Sequence, residues 1–166
     1  MSRKILITGA EGQLGKTLQF NLKDKFDVIP TAKSLSRQAD SKYIKTLDIT
    51  NRTDVEICIK TLQPDIIINC AAYTAVDKAE DEIEAAYAVN AKGVENLVNV
   101  CNCNSIRLIH FSTDYVFNGI SKKPYNEKDF ASPIGVYGKS KKAGEDFIIR
   151  SSVESIIIRT SWLYSI

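Results

Sequence analysis

The stretch KILITGAEGQLG, residues 4–15, decides the fold class of this 166-residue chain. A short apolar run leads into a turn that holds three glycines, Gly9, Gly12 and Gly15, and a helical pattern follows. Glycines at this spacing allow backbone N–H groups to approach a phosphate closely, and the N-terminus of the next helix adds partial positive charge. The order of strand, glycine turn and helix therefore predicts a dinucleotide-binding turn.

The sequence of this turn allows two other interpretations. Gly15-Lys16-Thr17 imitates the end of a P-loop, but that motif needs a glycine at position 10, where the chain has Ala10. The plainer alternative is a turn that only packs tightly and binds nothing.

Apolar runs and helical patterns alternate along the rest of the chain. We expect strands at 4–7, 27–29, 43–47, 65–70, 106–111 and 155–158, and helices at 13–23, 51–62, 80–102 and 137–150. Alternation of strands and helices along the chain predicts an α/β fold, a doubly wound parallel sheet (Rossmann fold) with helices on both faces. We expect residues 1–166 to form one NAD(P)-binding domain.

The composition excludes several classes of protein. With 44% hydrophobic and 25% charged residues and a net charge of +2, the chain is typical of globular proteins and offers no basic surface for nucleic acid. The uncharged stretch 66–76 is far shorter than the ~20 apolar residues of a membrane span, and the run 5–7 is too short for a signal peptide. We therefore expect a cytoplasmic protein that does not bind a membrane. Its four cysteines follow no metal-site spacing, so we expect reduced, packed thiols and no metal bound by them.

The end of the second predicted strand bears on the cofactor. A site that prefers NAD usually carries an acidic residue there, but residues 29–34 contain no carboxylate, and Lys33 and Arg37 are cationic. We therefore expect NADPH, with NADH as the alternative. The two cations could instead be solvated and bind nothing.

Tyr137 and Lys141 are the candidate reacting groups. They are four residues apart at the start of a predicted helix and so lie on one face. A neighbouring ammonium favours the phenolate and lowers a tyrosine pKa from its usual value near 10. Beside a nicotinamide, such a pair would give a proton to a carbonyl that receives hydride. The alternative is an exposed helix start with a lysine-rich face.

A hydroxyl group at Ser112 or Thr113, where the fifth predicted strand ends, could hydrogen-bond the substrate carbonyl. The glycine turn, this hydroxyl and Tyr-x-x-x-Lys together resemble the extended short-chain dehydrogenase/reductases. The strings NCAAYTAVDKAE (69–80), STDYVF (112–117) and RTSW (159–162) are similar, more narrowly, to the dTDP-4-dehydrorhamnose reductase family.

The resemblance implies cofactor contacts along the whole predicted cleft. It assigns Gly12, Gln13 and Leu14 to the pyrophosphate, Asp48 and Ile49 to the adenine, and Ala71, Ala72 and Tyr73 to the passage across the sheet end. Gly9 and Gly15 of the same glycine turn are also expected to bind the cofactor. The alternative for Asp48 is a cap of the next helix.

The resemblance also implies a substrate site. Thr113 and Asp114 would touch a dTDP-sugar and Trp162 would pack against it, although Trp162 could be a core residue. We expect Asn90, on the buried stripe of its helix, to make a structural hydrogen bond, with a part in a proton relay as the alternative. We expect His110, within the apolar fifth strand, to be structural rather than catalytic.

The implied reaction reduces the 4-keto group of a dTDP-linked 6-deoxyhexulose to give dTDP-L-rhamnose. Tyr137 would donate the proton, Lys141 would lower the Tyr137 pKa and hold the nicotinamide ribose, and Thr113 would position the oxygen. Family members are also associated with magnesium at the contact between the two subunits of a homodimer, but the sequence does not reveal which residues would bind it. The alternatives are another nucleotide-sugar reductase or epimerase, and a non-catalytic regulator of the same fold.

The sequence stops directly after the sixth predicted strand, whereas members of the resembling family continue for well over a hundred residues. We therefore expect the C-terminal substrate-binding part to be absent, and this chain to bind cofactor with negligible reductase activity. An uncovered apolar strand would favour self-association.

Overall fold

A six-stranded parallel sheet forms the centre of the molecule. The computed structural model describes residues 2–35 and 43–164. Its strands are β1 (Lys4–Thr8), β2 (Asp27–Ala32), β3 (Lys45–Thr46), β4 (Ile66–Asn69), β5 (Arg107–Thr113) and β6 (Ser155–Thr160). Their order is β3-β2-β1-β4-β5-β6, and every neighbouring pair is parallel. The predicted doubly wound sheet is confirmed, and its switch point lies between β1 and β4.

The helices are α1 (Gln13–Leu22), α2 (Arg52–Leu62), α3 (Ile83–Tyr87), α4 (Val94–Asn104) and α5 (Val136–Ile149). Asn51 caps α2, because its Oδ1 accepts the N–H groups of Thr53 and Asp54. The alternation of apolar residues on β1 then fixes the layers. Leu6 packs in one cluster with α2 and α4, while Ile5 and Ile7 face a second cluster that includes residues of α1.

The prediction of one continuous helix over 80–102 is wrong, because the helix starts later and is interrupted. A 3-10 turn occupies Asp77–Glu80, α3 begins at Ile83, and a π-helical segment (Ala88–Gly93) separates α3 from α4. Within that segment the buried Asn90 side chain accepts the Tyr73 N–H at 2.9 Å and donates to the Tyr73 carbonyl at 3.0 Å. A regular pattern of apolar residues cannot show this local widening, which is common at functional sites. The expected structural hydrogen bond of Asn90 is confirmed.

Two strand predictions also need correction. β2 continues through Pro30 to Ala32, because β3 pairs with β2 only at Thr31 and Ala32 and therefore requires no N–H from Pro30. The strand predicted over 43–47 is reduced to two residues. The expectation for Arg37 lies outside the described residues.

β6 lies at one edge of the sheet, with Ile156 58% exposed and Ile158 37% exposed.

All four cysteines lie in the described ranges and none is in a disulfide. Among the residues that the structure describes, no helix is long and apolar enough to cross a bilayer.

Candidate active site

The three glycines of the turn serve different purposes. A Cβ on Gly9, which has φ 63°, would lie 2.7 Å from the backbone of Cys70 and Ala71. A Cβ on Gly15 would lie 2.4 Å from the Gly9 carbonyl oxygen. A Cβ on Gly12 would meet only that same oxygen, at 3.3 Å. Gly9 and Gly15 are therefore required for the turn to close, whereas Gly12 leaves space on the open side.

The start of α1 is suited to an anion. Gly12 is its N-cap, no side chain caps it, and its first turn contains no acidic residue. The first N–H groups of a helix have no intrahelical partner, and the helix dipole places partial positive charge there. This arrangement fits a phosphate group.

A cleft of about 600 Å³ runs along the carboxyl ends of the strands from this turn. The predicted site residues that line it are Gly9, Gly12, Gln13, Leu14, Gly15, Asp48, Ile49, Ala71, Ala72, Thr113, Tyr137 and Lys141. Tyr73 does not belong to this lining, and its hydroxyl donates to Glu82 at 2.8 Å. The structure thus brings together most of the residues that the sequence assigned to a cofactor.

A buried network holds the strand ends beneath the cleft. Thr8 Oγ1 donates to Asn69 Oδ1 at 2.6 Å, and Asn69 Nδ2 lies 2.9 Å from Nδ1 of His110. The N–H of Ala71 donates to Thr8 Oγ1 at 3.2 Å, which ties the lining to β1. Burial, followed by the charge of Lys141, holds the pKa of His110 well below its usual value, so the ring is neutral. His110 is structural, as predicted.

Asp48, which the resemblance assigned to the adenine, lines the cleft and forms an ion pair that the sequence did not reveal. Asp48 accepts from the N–H and Oγ1 of Thr50, and its other oxygen lies 2.9 Å from Nζ of Lys33. Asn51 caps α2 instead, so the helix-cap alternative for Asp48 is wrong. An acidic group therefore lies beside Lys33, although residues 29–34 carry none.

Tyr137 lies on the first turn of α5, half-buried, and its hydroxyl hydrogen-bonds with Thr113. Its ring meets the Tyr115 ring edge-on, with centroids 5.7 Å apart. Burial is the main cause that raises the Tyr137 pKa, the Thr113 hydrogen bond lowers it, and Asp114 and Tyr115 raise it. The hydroxyl is therefore protonated at neutral pH.

Lys141 does not lower the pKa of Tyr137 in this structure, contrary to the prediction. Its Nζ donates to the Phe111 carbonyl at 2.6 Å and is therefore held by β5. The side chain is buried, and this desolvation lowers the Lys141 pKa to about 8, against a partial rise caused by Glu145 and Cys70. Helical spacing alone placed the two residues on one face and could not show this bond.

A second cavity, of about 500 Å³, adjoins the cleft. Tyr137 lines both spaces, and the predicted substrate residues Asp114 and Trp162 line the second. Trp162 is 75% exposed, so it is not a core tryptophan. Phe117 and Tyr125 stack in the same wall, with ring centroids 4.3 Å apart.

The sequence named one further polar group of the site as a candidate and missed another. Ser112, one of the two hydroxyl groups expected to bond the substrate carbonyl, lines the cleft, and its buried Oγ has no hydrogen-bond partner among the described residues. Glu80 accepts the N–H of Val136, the first residue of α5, at 2.8 Å. The Ser112 position was visible as a strand end, but the contact of Glu80 spans 56 residues and has no local signal.

No group of three or more His, Cys, Asp or Glu side chains that could hold a metal occurs within residues 2–35 and 43–164. Nothing in those residues supports the magnesium expectation.

The family described as RmlD substrate binding domain matches residues 3–166. The chain belongs to this family. A dTDP-4-dehydrorhamnose reductase of Aggregatibacter actinomycetemcomitans is 43% identical over 97% of the chain and 52% of its own length. A dTDP-4-keto-6-deoxy-D-glucose reductase of Streptomyces niveus is 39% identical over 99% of the chain and 54% of its own length.

Solved structures agree with these relatives. A dTDP-4-dehydrorhamnose reductase of Bacillus anthracis in complex with NADP superposes with a TM-score of 0.89 at 42% identity. The match covers 99% of this chain and 55% of that one. The chain spans about half the length of the curated relatives it matches.

Proposed function

We propose that the protein carrying this chain reduces the 4-keto group of dTDP-4-dehydro-L-rhamnose with NADPH, giving dTDP-L-rhamnose. One observation carries the proposal: Tyr137, whose hydroxyl is protonated, lines both the strand-end cleft and the second cavity and so marks their junction. A proton donor at this junction can reach a carbonyl in one space while a dinucleotide occupies the other. The names of the relatives and of the solved NADP complex support the same reaction.

The cleft fits a nicotinamide dinucleotide. Gly12 leaves open space at the uncapped start of α1, where N–H groups of the first turn would hold the pyrophosphate. Asp48 and Ile49 line the part proposed for the adenine. The small side chains of Ala71 and Ala72 leave room for the middle of the cofactor. When bound, the reduced nicotinamide supplies the hydride.

The residues around the junction would then act on the substrate oxygen. Tyr137 donates its proton to the oxygen as it becomes an alkoxide, and its raised pKa keeps that proton available at neutral pH. Thr113, which hydrogen-bonds Tyr137 in this structure, would turn to the substrate oxygen and orient it. Lys141, held by the Phe111 carbonyl, would fix the nicotinamide ribose through its remaining N–H bonds.

Turnover of the full-length protein and of Tyr137→Phe tests the proposal. We expect Tyr137→Phe to lose roughly 100- to 10,000-fold in kcat, the usual contribution of a general acid, with NADPH affinity almost unchanged because the ring remains. Fluorescence titration with NADPH measures the affinity separately. A Tyr137→Phe protein with near-normal turnover would exclude this tyrosine as the donor.

One observation favours a second substrate. The Streptomyces niveus relative, named for a dTDP-4-keto-6-deoxy-D-glucose, is nearly as similar as the Aggregatibacter enzyme. Assaying both keto sugars with the same protein separates the two functions by their kcat/KM ratio. Binding of NADPH without turnover of either sugar would instead favour a non-catalytic regulator.

A further inference from the structure

The helix that carries Tyr137 begins in an unusual way. Its N-cap is Gly135, which has an extended backbone (φ −84°, ψ 165°) and no side chain that could cap the helix. Helix starts of this kind leave the first N–H groups without a partner unless another segment supplies an acceptor. Here the acceptor is Oε1 of Glu80, which lies 2.8 Å from the N–H of Val136.

Glu80 and Gly135 are in close contact. A Cβ built on Gly135 would lie 2.9 Å from Oε1 of Glu80, so this flexible side chain would have to shift to admit one. The space that a capping side chain of α5 would use is therefore occupied by the carboxylate of Glu80. That carboxylate lies at the end of the 3-10 turn Asp77–Glu80, and Glu80 lines the second cavity.

We propose that Glu80 is a positioning residue, which caps α5 from a distant segment and thereby fixes the Tyr137 hydroxyl at the junction of the two cavities. Tyr137 directly follows Val136, so a shift of the first turn of α5 moves the hydroxyl with it. A carboxylate at a helix N-terminus also matches the helix dipole. The inference rests on the proposed function only for the role of Tyr137.

Other contacts of the described residues also hold α5 in place. Gly138 lies so close to Tyr115, in the 3-10 turn Asp114–Val116, that a Cβ would be 2.2 Å from the Tyr115 carbonyl oxygen. Further along, Asn90 Nδ2 donates to Ser140 Oγ at 3.0 Å. These contacts keep the helix docked when Glu80 is changed, so we expect its first turn to loosen while the fold persists.

Turnover of the full-length protein is compared for wild type, Glu80→Ala and Glu80→Gln. We expect Glu80→Ala to lower kcat about tenfold, because small displacements of a reacting group are costly, with the KM for NADPH within about twofold of wild type. Glu80→Gln keeps an oxygen acceptor and should retain most of the turnover. Glu84→Ala, which removes an exposed carboxylate of α3, serves as the matched control and should leave kcat unchanged.

Gly135→Ser provides the sharper test in the Glu80→Ala background. Removing the carboxylate makes room for the new Cβ, and a serine at the N-cap can accept an N–H of the first turn. We expect Glu80→Ala/Gly135→Ser to recover kcat to within about threefold of wild type. Failure of this rescue, with both variants folded by circular dichroism, would overturn the proposal.

A double-mutant cycle with Tyr137→Phe separates this inference from the proposed function. If Glu80 acts through Tyr137, Glu80→Ala should lower kcat no further in a protein that already carries Tyr137→Phe. Independent, additive losses would overturn the positioning role, as would a Glu80→Ala protein with wild-type kcat. Normal turnover of Tyr137→Phe itself would instead exclude Tyr137 as the proton donor of the proposed function. In that case, protection of the Val136 amide against hydrogen exchange still tests whether Glu80 caps α5. Unchanged protection in Glu80→Ala would refute the cap.

Discussion

Gly12 and Gly15 show how two glycines of one turn can have separate purposes. A Cβ on Gly15 would collide with the Gly9 carbonyl oxygen at 2.4 Å, whereas a Cβ on Gly12 would stay 3.3 Å from it and extend toward the cleft. Gly15 is therefore needed for the turn to close, whereas the absence of a side chain at Gly12 keeps the space beside the turn open.

Substitution by alanine should separate the two purposes. We expect Gly15→Ala to lower the free energy of unfolding by about 1–3 kcal/mol, because backbone must move to admit the methyl group. Gly12→Ala should change that free energy by less than about 1 kcal/mol but weaken NADPH binding about tenfold or more. Urea unfolding and NADPH titration measure the two effects. Equal stability losses in the two variants would contradict the assignment.

Lys33 is the residue on which cofactor preference should depend. It lines the cleft and pairs with Asp48, so a 2′-phosphate would have to compete with that carboxylate. We expect Lys33→Ala to weaken NADPH binding about tenfold and NADH binding by less than about threefold, since only NADPH carries the additional phosphate. Titrations at low and high salt measure this. Equal losses for both cofactors would show that Lys33 does not contact the phosphate.

At the scale of elements, α5 is joined to two strands by one stripe of polar side chains. Lys141 donates to the Phe111 carbonyl of β5, and one turn later the fully buried Glu145 accepts two hydrogen bonds from Arg159 of β6, at 2.9 and 2.7 Å. The edge strand β6 is thus fixed to the helix that carries Tyr137.

Removing one partner of the Glu145–Arg159 ion pair should lower the free energy of unfolding more than removing both. We expect Arg159→Leu to lower the free energy of unfolding by about 3–5 kcal/mol, because it leaves the Glu145 carboxylate buried without a partner. Arg159→Leu/Glu145→Leu should lose less, because no carboxylate is then left buried without its hydrogen-bond partner. Denaturant titration of both variants measures the difference. A double variant that is less stable than the single one would contradict this explanation.

The elements that sequence reasoning placed well are those whose patterns are local. The run of isoleucines in β4 and the spacing of Tyr137 and Lys141 can be seen within a few residues. The π-helical segment, the passage of β2 through Pro30 and the contact of Glu80 with Val136 depend on neighbours distant in sequence. For the same reason the fold class was predictable, whereas the partners of Lys33 and Lys141 were not.

At the scale of the whole molecule, the buried Lys141 couples stability to pH. Its pKa is about 8 in the folded protein, against an ordinary value of 10.5. Between these values the unfolded chain binds more protons than the folded one, so stability rises with pH.

Wild type and Lys141→Met should therefore respond differently to pH. We expect the wild type to gain stability relative to Lys141→Met between about pH 8 and pH 10, because only the wild type releases the proton of a buried ammonium on folding. Urea unfolding of both proteins across this range measures the difference. A constant difference between the two curves would show that Lys141 keeps an ordinary pKa.

The contact between the glycine turn and Ala71 has a consequence for biosynthesis. In the folded turn, Gly9 packs against the backbone of Ala71, whose N–H bonds to Thr8 Oγ1 across 63 positions of sequence. A ribosome delivers the N-terminal part first, so the entire glycine motif emerges long before the backbone against which it closes. A nascent chain stalled ahead of Ala71 would therefore display the whole motif and still be unable to retain the dinucleotide.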